Sequence, residues 1–283
     1  MADASGGSSE SEVKLWFQKH TVQGRLAGLD RAYEAHLRRV ARPGTRIHFH
    51  TLPPETYRAQ LPESYVRYGC VESLFASYFA LQALRAERAG YDAYIIGTSQ
   101  DPGLAEARGW AEIPVLGYGE TTASIAAMLS QRFSFVGFIP ELAEPIVANM
   151  RRYGLADRLG PFAFVASGPG SVEAAFGGTR GPFVEAFQEA ARTAIQGGAE
   201  LLIPADGLTN EILVEAGIQA VDDAPILDAN GLLIKMAELF ADSRRLHLVA
   251  KPHRGYYNRR PSREHITHLL SILAPRAFPV EDV

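Results

Sequence analysis

The chain has 283 residues, of which 47% are hydrophobic, and a formal net charge of -4 at pH 7. This length and hydrophobic content suffice for one large or two medium domains with a sizeable core. The slightly acidic charge excludes the basic surface of a nucleic-acid-binding protein, so we expect no nucleic-acid partner. No apolar run approaches the roughly 20 residues that cross a bilayer, so we expect a soluble, cytoplasmic protein without a membrane partner.

The first segment, MADASGGSSES (1–11), has the Gly, Ser and Glu bias of a disordered leader. It lacks the charged start and the apolar run of a signal peptide. The single cysteine, Cys70, excludes an internal disulfide, a cysteine-rich zinc site and any pair of catalytic thiols.

Short apolar runs alternate with helical patterns along the rest of the chain. Strands are predicted at 13–18, 46–52, 91–97, 113–118, 133–139, 162–167, 200–205 and 247–251. Helices are predicted at 23–42, 66–89, 121–130, 141–153, 181–197, 208–216 and 230–243. This alternation is typical of α/β proteins with a mostly parallel sheet flanked by helices.

A helix, a glycine turn and a buried strand follow one another at 83–98 and again at 186–205. We interpret this as a weak internal repeat of two similar lobes, although α/β chains also show such similarity by chance. The first of these strands runs directly into the polar segment TSQD (98–101). Ligands of open α/β sheets bind at the carboxyl ends of strands, so this segment is a candidate binding loop.

Several motifs resemble those of one known family. The segments are DPGL at 101–104, PVLGYGE at 114–120, GGAELLIPADGL at 197–208 and SRRLHLVAKPHRGYY at 243–257. Over residues 12–260 the chain is similar to the aspartate/glutamate/hydantoin racemase superfamily, and most similar to its hydantoin-racemase branch.

The resemblance implies two α/β lobes related by a pseudo-twofold axis, each a mostly parallel sheet flanked by helices. We assign residues 12–118 together with 227–283 to lobe 1 and residues 119–226 to lobe 2. The resemblance further implies a small-molecule substrate held between Thr98 and the 205–210 loop. We expect a homo-oligomer that uses no cofactor.

The two cysteines on which the family's racemases rely are missing. Aligned with the family motifs, the first cysteine falls on Thr98 and the second on Ala205, while Cys70 lies outside both motifs. A threonine hydroxyl is far less acidic than a thiol, and alanine transfers no proton. Two-thiol racemisation is therefore not expected.

Three residues are candidates for catalysis: Asp206, Thr98 and His20. Asp206 would act as general base with a pKa raised by a closed cleft, while Thr98 and Ser99 hold the developing oxyanion. The alternative for Asp206 is a capping role for the helix that starts near Leu208. His20 follows the first strand and has a pKa suited to acid/base work, although a lone loop histidine is more often a surface or capping residue.

Further polar residues on the same loops are candidates for substrate binding. They are Ser99, Gln100, Asp101, Glu120, Thr121, Thr122, Thr209, Asn210, Lys251, His253 and Arg254. For Asp101 the alternative is to stabilise its loop and cap a helix at 103–108. Thr121 and Thr122, with the N–H groups at a helix start, would bind a carboxylate, and the basic segment would close the pocket or form a solvated turn.

Other patterns predict no cofactor or metal site. The SGPGS turn (167–171) lacks the third glycine of a dinucleotide fingerprint. His48 with His50 on a predicted strand, and His265 with His268 on one helix face, form pairs that we do not expect to bind a metal.

Since both thiols are missing, we expect bond cleavage, by a hydrolase or lyase acting on a small carboxylate or cyclic amide. One base and an oxyanion site would suffice for it. The first alternative is an isomerase with Asp206 and His20 as unequal bases. The second is a non-catalytic protein that binds a small molecule.

Overall fold

The computed structural model describes residues 12–273, and the predicted leader at 1–11 lies outside the described residues. The first sheet contains β1 (Val13–Val22), β2 (Thr45–Leu52), β3 (Ala93–Ile96) and β4 (Val115–Gly117). These strands lie in the order β2-β1-β3-β4, and all neighbours run parallel.

The second sheet contains β5 (Phe133–Gly137), β6 (Ala163–Phe164) and β7 (Leu201–Pro204) in the order β6-β5-β7, again parallel. The short strands β8 (Ala220–Val221) and β9 (Ala224–Pro225) pair antiparallel. The two parallel sheets fall in the two predicted lobes and confirm the α/β fold. The exact lobe boundaries stay a prediction.

Helices connect the strands and cover the sheets. They are α1 (Ala27–Val40), α2 (Glu63–Val66), α3 (Gly69–Arg88), α4 (Leu104–Trp110), α5 (Tyr118–Leu129), α6 (Ala143–Arg152), α7 (Pro169–Phe176), α8 (Gly181–Gln196), α9 (Gly207–Ala216), α10 (Ala229–Arg245) and α11 (Arg263–Leu273). The predicted helix at 66–89 corresponds to α3, and the short α2 that precedes it was not predicted. None of the helices within residues 12–273 has the length and apolarity that crossing a membrane requires.

The residue pattern explains these elements. All four residues of β3, AYII, are buried, as expected for a strand covered on both faces by helices. Helix α8 ends before Gly198, whose φ of 93° stops the helix in the left-handed region. One core cluster contains Phe17 of β1 and Phe135 of β5, so the two sheets share a hydrophobic core.

The predicted strand at 247–251 does not form. His247 has a φ of 58°, which interrupts an extended backbone, and Leu248 is 72% exposed. The segment runs as an irregular chain after α10, and its Val249 and Ala250 line a cavity with residues such as Ile113.

Candidate active site

A small cavity of about 30 Å³ lies where the carboxyl ends of β3 and β7 approach each other. Its wall consists of His20, Thr21, Tyr33, Leu61, Pro62, Glu63, Val66, Gly97, Thr98, Gln100, Phe138, Ile139, Leu142, Asp206, Gly207 and Leu208. The three residues predicted to be catalytic, together with Gln100, therefore meet at one site although they are far apart in the sequence.

Thr98 and Gln100 form the edge of the cavity that follows β3. The Thr98 hydroxyl donates to Gln100 Oε1 at 2.5 Å, and the Gln100 carbonyl accepts from Asn149 Nδ2 at 2.6 Å. Ser99 between them is fully buried, and its hydroxyl has no hydrogen-bond partner. The loop is thus held in place by its own side chains and by α6.

Asp206 lies at the edge that follows β7. Its Oδ1 accepts from the Thr209 backbone N–H at 2.8 Å, and its Oδ2 accepts from the Thr209 hydroxyl at 2.9 Å. Asp206 is therefore the N-cap of α9, as the alternative prediction stated, and it also lines the cavity. Burial raises the pKa of its carboxyl to about 6, against the lowering effect of the hydrogen bonds from Thr209.

His20 is packed in an aromatic environment. Its ring lies edge-on to Phe75, Phe79 and Tyr57, with centroid distances of 4.5, 5.2 and 6.3 Å. Burial lowers the pKa of His20 to about 3, so the imidazole is neutral at pH 7. Its Nε2 is buried without a hydrogen-bond partner.

Glu63 is a cavity residue that the sequence did not indicate. It is the first residue of α2, in the connection between β2 and α3, and no strand end or motif marks it. Its Oε2 is buried without a partner, and burial raises the pKa of the carboxyl.

Unpaired buried polar atoms are concentrated here. His20 Nε2, Thr21 Oγ1 and Glu63 Oε2 belong to the cavity wall, and the hydroxyls of Tyr57 and Ser99 lie next to it in space or in sequence. Buried polar atoms of folded proteins are nearly always hydrogen-bonded. The cavity is therefore suited to a ligand that brings donors and acceptors of its own.

The comparisons with known proteins agree with this architecture. The family model described as Asp/Glu/Hydantoin racemase matches residues 29–237, which is more than half of the chain. The chain belongs to this family.

Curated relatives include the hydantoin racemase of Pseudomonas sp. (strain NS671), 31% identical over 94 residues, which are 31% of this chain and 38% of that protein. The hydantoin racemase of Rhizobium meliloti is 30% identical over 103 residues, 36% of this chain and 42% of that protein. The matched segments thus span about two fifths of these relatives' length.

Among solved structures, allantoin racemase from Klebsiella pneumoniae superimposes with a TM-score of 0.69 at 22% identity, covering 89% of this chain and 95% of that chain. Allantoin racemase from Pseudomonas fluorescens superimposes with a TM-score of 0.64 at 20% identity, covering 88% of this chain and 98% of that chain. At these identities the likeness shows the family fold alone.

The expected hydrolase or lyase activity is wrong. The family model and the curated relatives are all named as racemases, and the bond-cleaving interpretation rested only on the missing thiols. Among the interpretations of the sequence, the isomerase alternative is the one that the family supports.

Asp101, within the family motif DPGL, caps a helix other than the one predicted. Its Oδ1 accepts from the Gly119 N–H at 2.9 Å, and its Oδ2 accepts from the Glu120 N–H at 2.7 Å and from the Tyr153 hydroxyl at 2.8 Å. These donors belong to the start of α5, whereas α4 begins after Gly103. Burial raises the pKa of Asp101 to about 7, against the effect of its three donors.

The start of α5 does not face the cavity between β3 and β7. Glu120 forms a bidentate ion pair with Arg108. The Thr122 hydroxyl donates to the Tyr118 carbonyl at 2.7 Å. Thr121 lines a second cavity of about 510 Å³. Two of the N–H groups predicted to bind a carboxylate already donate to Asp101.

The basic segment also lies away from the cavity that contains Asp206. Lys251 lines the second cavity, and its Nζ donates to the Ala111 carbonyl at 2.8 Å. His253 and Arg254 are exposed. None of these three residues belongs to the wall of the cavity at β3 and β7.

The polar residues of α9 are used inside the protein. Thr209 is fully buried and bound to Asp206. Asn210 accepts from the Ala229 N–H at 2.7 Å and donates to Asp228 Oδ1 at 3.1 Å, so it ties α9 to α10. Neither side chain belongs to the cavity wall.

Proposed function

We propose that the protein is a racemase that inverts a carbon next to a carbonyl in a small, neutral cyclic amide of the hydantoin class. One observation carries the proposal: Thr98 from the end of β3 and Asp206 from the end of β7 line the same cavity. The family membership and the names of the relatives, hydantoin racemase and allantoin racemase, support the same reaction.

The charge of the wall favours a neutral substrate. The wall residues of the described chain include the acids Glu63 and Asp206 but no lysine or arginine. Lys19, the neighbour of His20, is bound to Asp30 at 2.5 Å. An aspartate or glutamate substrate would bring carboxylates next to two acids without a compensating cation, which Coulomb repulsion disfavours.

The shape of the wall favours a ring that carries an apolar substituent. Leu61, Phe138, Ile139 and Leu142 form an apolar surface, and Thr21, Thr98 and Gln100 are polar. A cyclic amide has N–H donors and carbonyl acceptors for the polar side and presents its substituent to the apolar side. Small-molecule sites commonly combine an apolar lining with a few placed polar groups.

In the proposed reaction, Asp206 removes the proton from the carbon next to the carbonyl. A carboxylate with a pKa of about 6 is ionised at pH 7 and still basic enough to accept a proton. Negative charge then develops on the carbonyl oxygen, where the neutral His20 ring and the Thr21 hydroxyl, whose Nε2 and Oγ1 have no partner within the protein, supply hydrogen-bonding groups. The pKa of His20, lowered by burial, suits it to hydrogen bonding better than to accepting a proton.

We infer that no thiol takes part. Thr98 and Ala205 stand where the resemblance places the two cysteines, and Cys70, the chain's single cysteine, is exposed on α3. The variant Cys70→Ser should therefore racemise as fast as the wild type. Loss of turnover in this variant would contradict the inference.

The decisive experiment incubates each enantiomer of a 5-substituted hydantoin, and allantoin in parallel, in D₂O. We expect loss of optical rotation together with deuterium at the carbon next to the carbonyl, and no ring-opened product. Asp206→Asn should lower the rate by at least about 100-fold. Asparagine caps helices about as well as aspartate, so α9 should remain intact and the loss can be assigned to chemistry.

The control is Asp222→Asn, which changes a half-exposed carboxylate away from the cavity. Full turnover by Asp206→Asn would refute the role of Asp206. Ring-opened product would refute racemisation itself, and binding without exchange or inversion would favour the non-catalytic alternative.

A further inference from the structure

We propose that Glu63 is the second acid/base group of this cavity and exchanges a proton with the substrate carbon from a different wall than Asp206. This inference rests on the proposed function. It names a residue that no motif marks, on the connection between β2 and α3.

Inversion of configuration requires proton removal on one face of the carbon and proton delivery on the other. A single carboxylate at Asp206 stays on one face, because it is fixed by two hydrogen bonds to Thr209. It would return the proton to the side from which it came. A second group is needed on another part of the wall.

The wall of the described chain offers three further titratable side chains: His20, Tyr33 and Glu63. His20 is enclosed by aromatic rings and neutral, with a pKa lowered to about 3 by burial. Burial and neighbouring carboxylates raise the pKa of Tyr33 well above its ordinary value, so its phenol holds its proton. Glu63 is the remaining acid/base group of the wall: its Oε2 is buried without a partner, and burial raises the pKa of its carboxyl.

The position of Glu63 suits this task. Glu63 lines the cavity beside Leu61, Pro62 and Val66, whereas Asp206 lines it beside Gly207 and Leu208 at the start of α9. Its Oε2 is buried and has no hydrogen-bond partner. The neighbouring Arg67 pairs with Glu141 at 3.6 Å, and its charge offsets only part of the rise that burial causes in the Glu63 pKa.

The proton balance closes with one carboxylate and one carboxylic acid. The C–H bond of the substrate breaks, its proton forms an O–H bond with the Asp206 carboxylate, and its electron pair moves onto the carbonyl oxygen. The O–H bond of protonated Glu63 then breaks, and its proton forms the new C–H bond with the returning electron pair. Asp206 ends protonated and Glu63 ionised, which is the starting state for the opposite enantiomer.

The test follows the two enantiomers of 5-isobutylhydantoin separately in D₂O, after subtraction of the enzyme-free rate. The wild type should exchange and invert both. Glu63→Gln should slow inversion by at least about 100-fold in both directions but keep deuterium exchange for one enantiomer. Asp206→Asn should keep exchange for the other enantiomer, because each variant retains the base for one face.

Glu55→Gln is the matched control, since Glu55 is an exposed glutamate of the same connection outside the cavity wall. Glu63→Met, of similar size, is a second variant should Glu63→Gln fold poorly as judged by circular dichroism. Inversion by both Glu63 variants within about twofold of wild type would overturn the inference. Equal loss of exchange from both enantiomers would also overturn it, since a base for one face acts on one enantiomer.

The same data separate the two proposals. A wild-type enzyme that inverts both enantiomers while Glu63→Gln is unaffected supports the proposed function and refutes the role of Glu63. A wild type that exchanges neither enantiomer overturns the proposed function and the inference with it.

Discussion

His36 of α1 should contribute a pH-dependent part of the stability. Its Nδ1 lies 3.0 Å from Glu211 Oε1 on α9, and its Nε2 lies 2.8 Å from Asp228 Oδ2 at the start of α10. Its side chain is 3% exposed and that of Glu211 is fully buried. Burial alone lowers the pKa of His36, but the hydrogen bonds to Asp228 and Glu211 outweigh it and raise the pKa to about 9.

The size of the effect follows from the difference between the folded and unfolded pKa values. A shift from 6.5 to about 9 is worth about 3 kcal/mol at about 1.4 kcal/mol per unit. The folded pKa is raised, so the full contribution is present below pH 6.5 and is lost as the pH rises through 9. About 2 kcal/mol should remain at pH 7.5 and almost none at pH 9.5.

The assay is urea unfolding of wild type and His36→Gln at three pH values, about 6, 7.5 and 9.5. The difference in unfolding free energy should shrink by about 3 kcal/mol across this range. Arg38→Gln on the same helix is the control. Arg38 pairs with Glu34, and their side chains are 64% and 55% exposed, so this ion pair should contribute under about 1 kcal/mol to the unfolding free energy at every pH. A constant difference for His36→Gln from pH 6 to 9.5 would show that the folded protein holds a neutral imidazole, and would refute the charged pairing of His36 with Asp228 and Glu211.

Three more outcomes follow from contacts around the cavity. Asp101→Asn should lower the unfolding free energy by about 2 kcal/mol, since one of three hydrogen bonds to a buried carboxylate loses its acceptor. Thermal unfolding measures this loss of stability, and an unchanged midpoint would contradict the capping role of Asp101. A methyl group on Gly207 would lie 2.1 Å from the Tyr33 hydroxyl oxygen, so Gly207→Ala should lower the unfolding free energy by about 2 kcal/mol. Tyr33→Phe removes that oxygen and should restore part of the lost stability in a double-mutant cycle. The racemisation rate should fall as the pH drops through about 6, where Asp206 becomes protonated, and a rate that stays flat down to pH 4 would exclude it as the base.

The order of strands and helices was largely predictable from the sequence. Runs such as YDAYIIG at 91–97 are apolar and short, and the segments between them have the spacing of helices, so periodicity alone indicates the α/β class. The prediction of a strand at 247–251 was wrong because three apolar residues in a row do not reveal whether a neighbouring strand is available for pairing.

The candidate site was predictable only in part. Thr98 and Asp206 were found because each directly follows a buried strand and matches a family motif, and both lie on the cavity. The cap at Asp101 was assigned to α4 because that helix is next in sequence, but the donors come from Gly119, 18 residues away.

The sequence by itself determined the features that depend on residues close together in the chain. These are the apolar periodicity of each element, the glycine that ends α8, and the Asp206 cap three residues before Thr209. Tertiary structure alone decided that Glu63 enters the cavity, that His20 loses its charge among aromatic rings, and that Lys251 lies elsewhere. The physical reason is that hydrogen-bond partners and burial, which set the protonation of a side chain, come from segments far apart in the sequence.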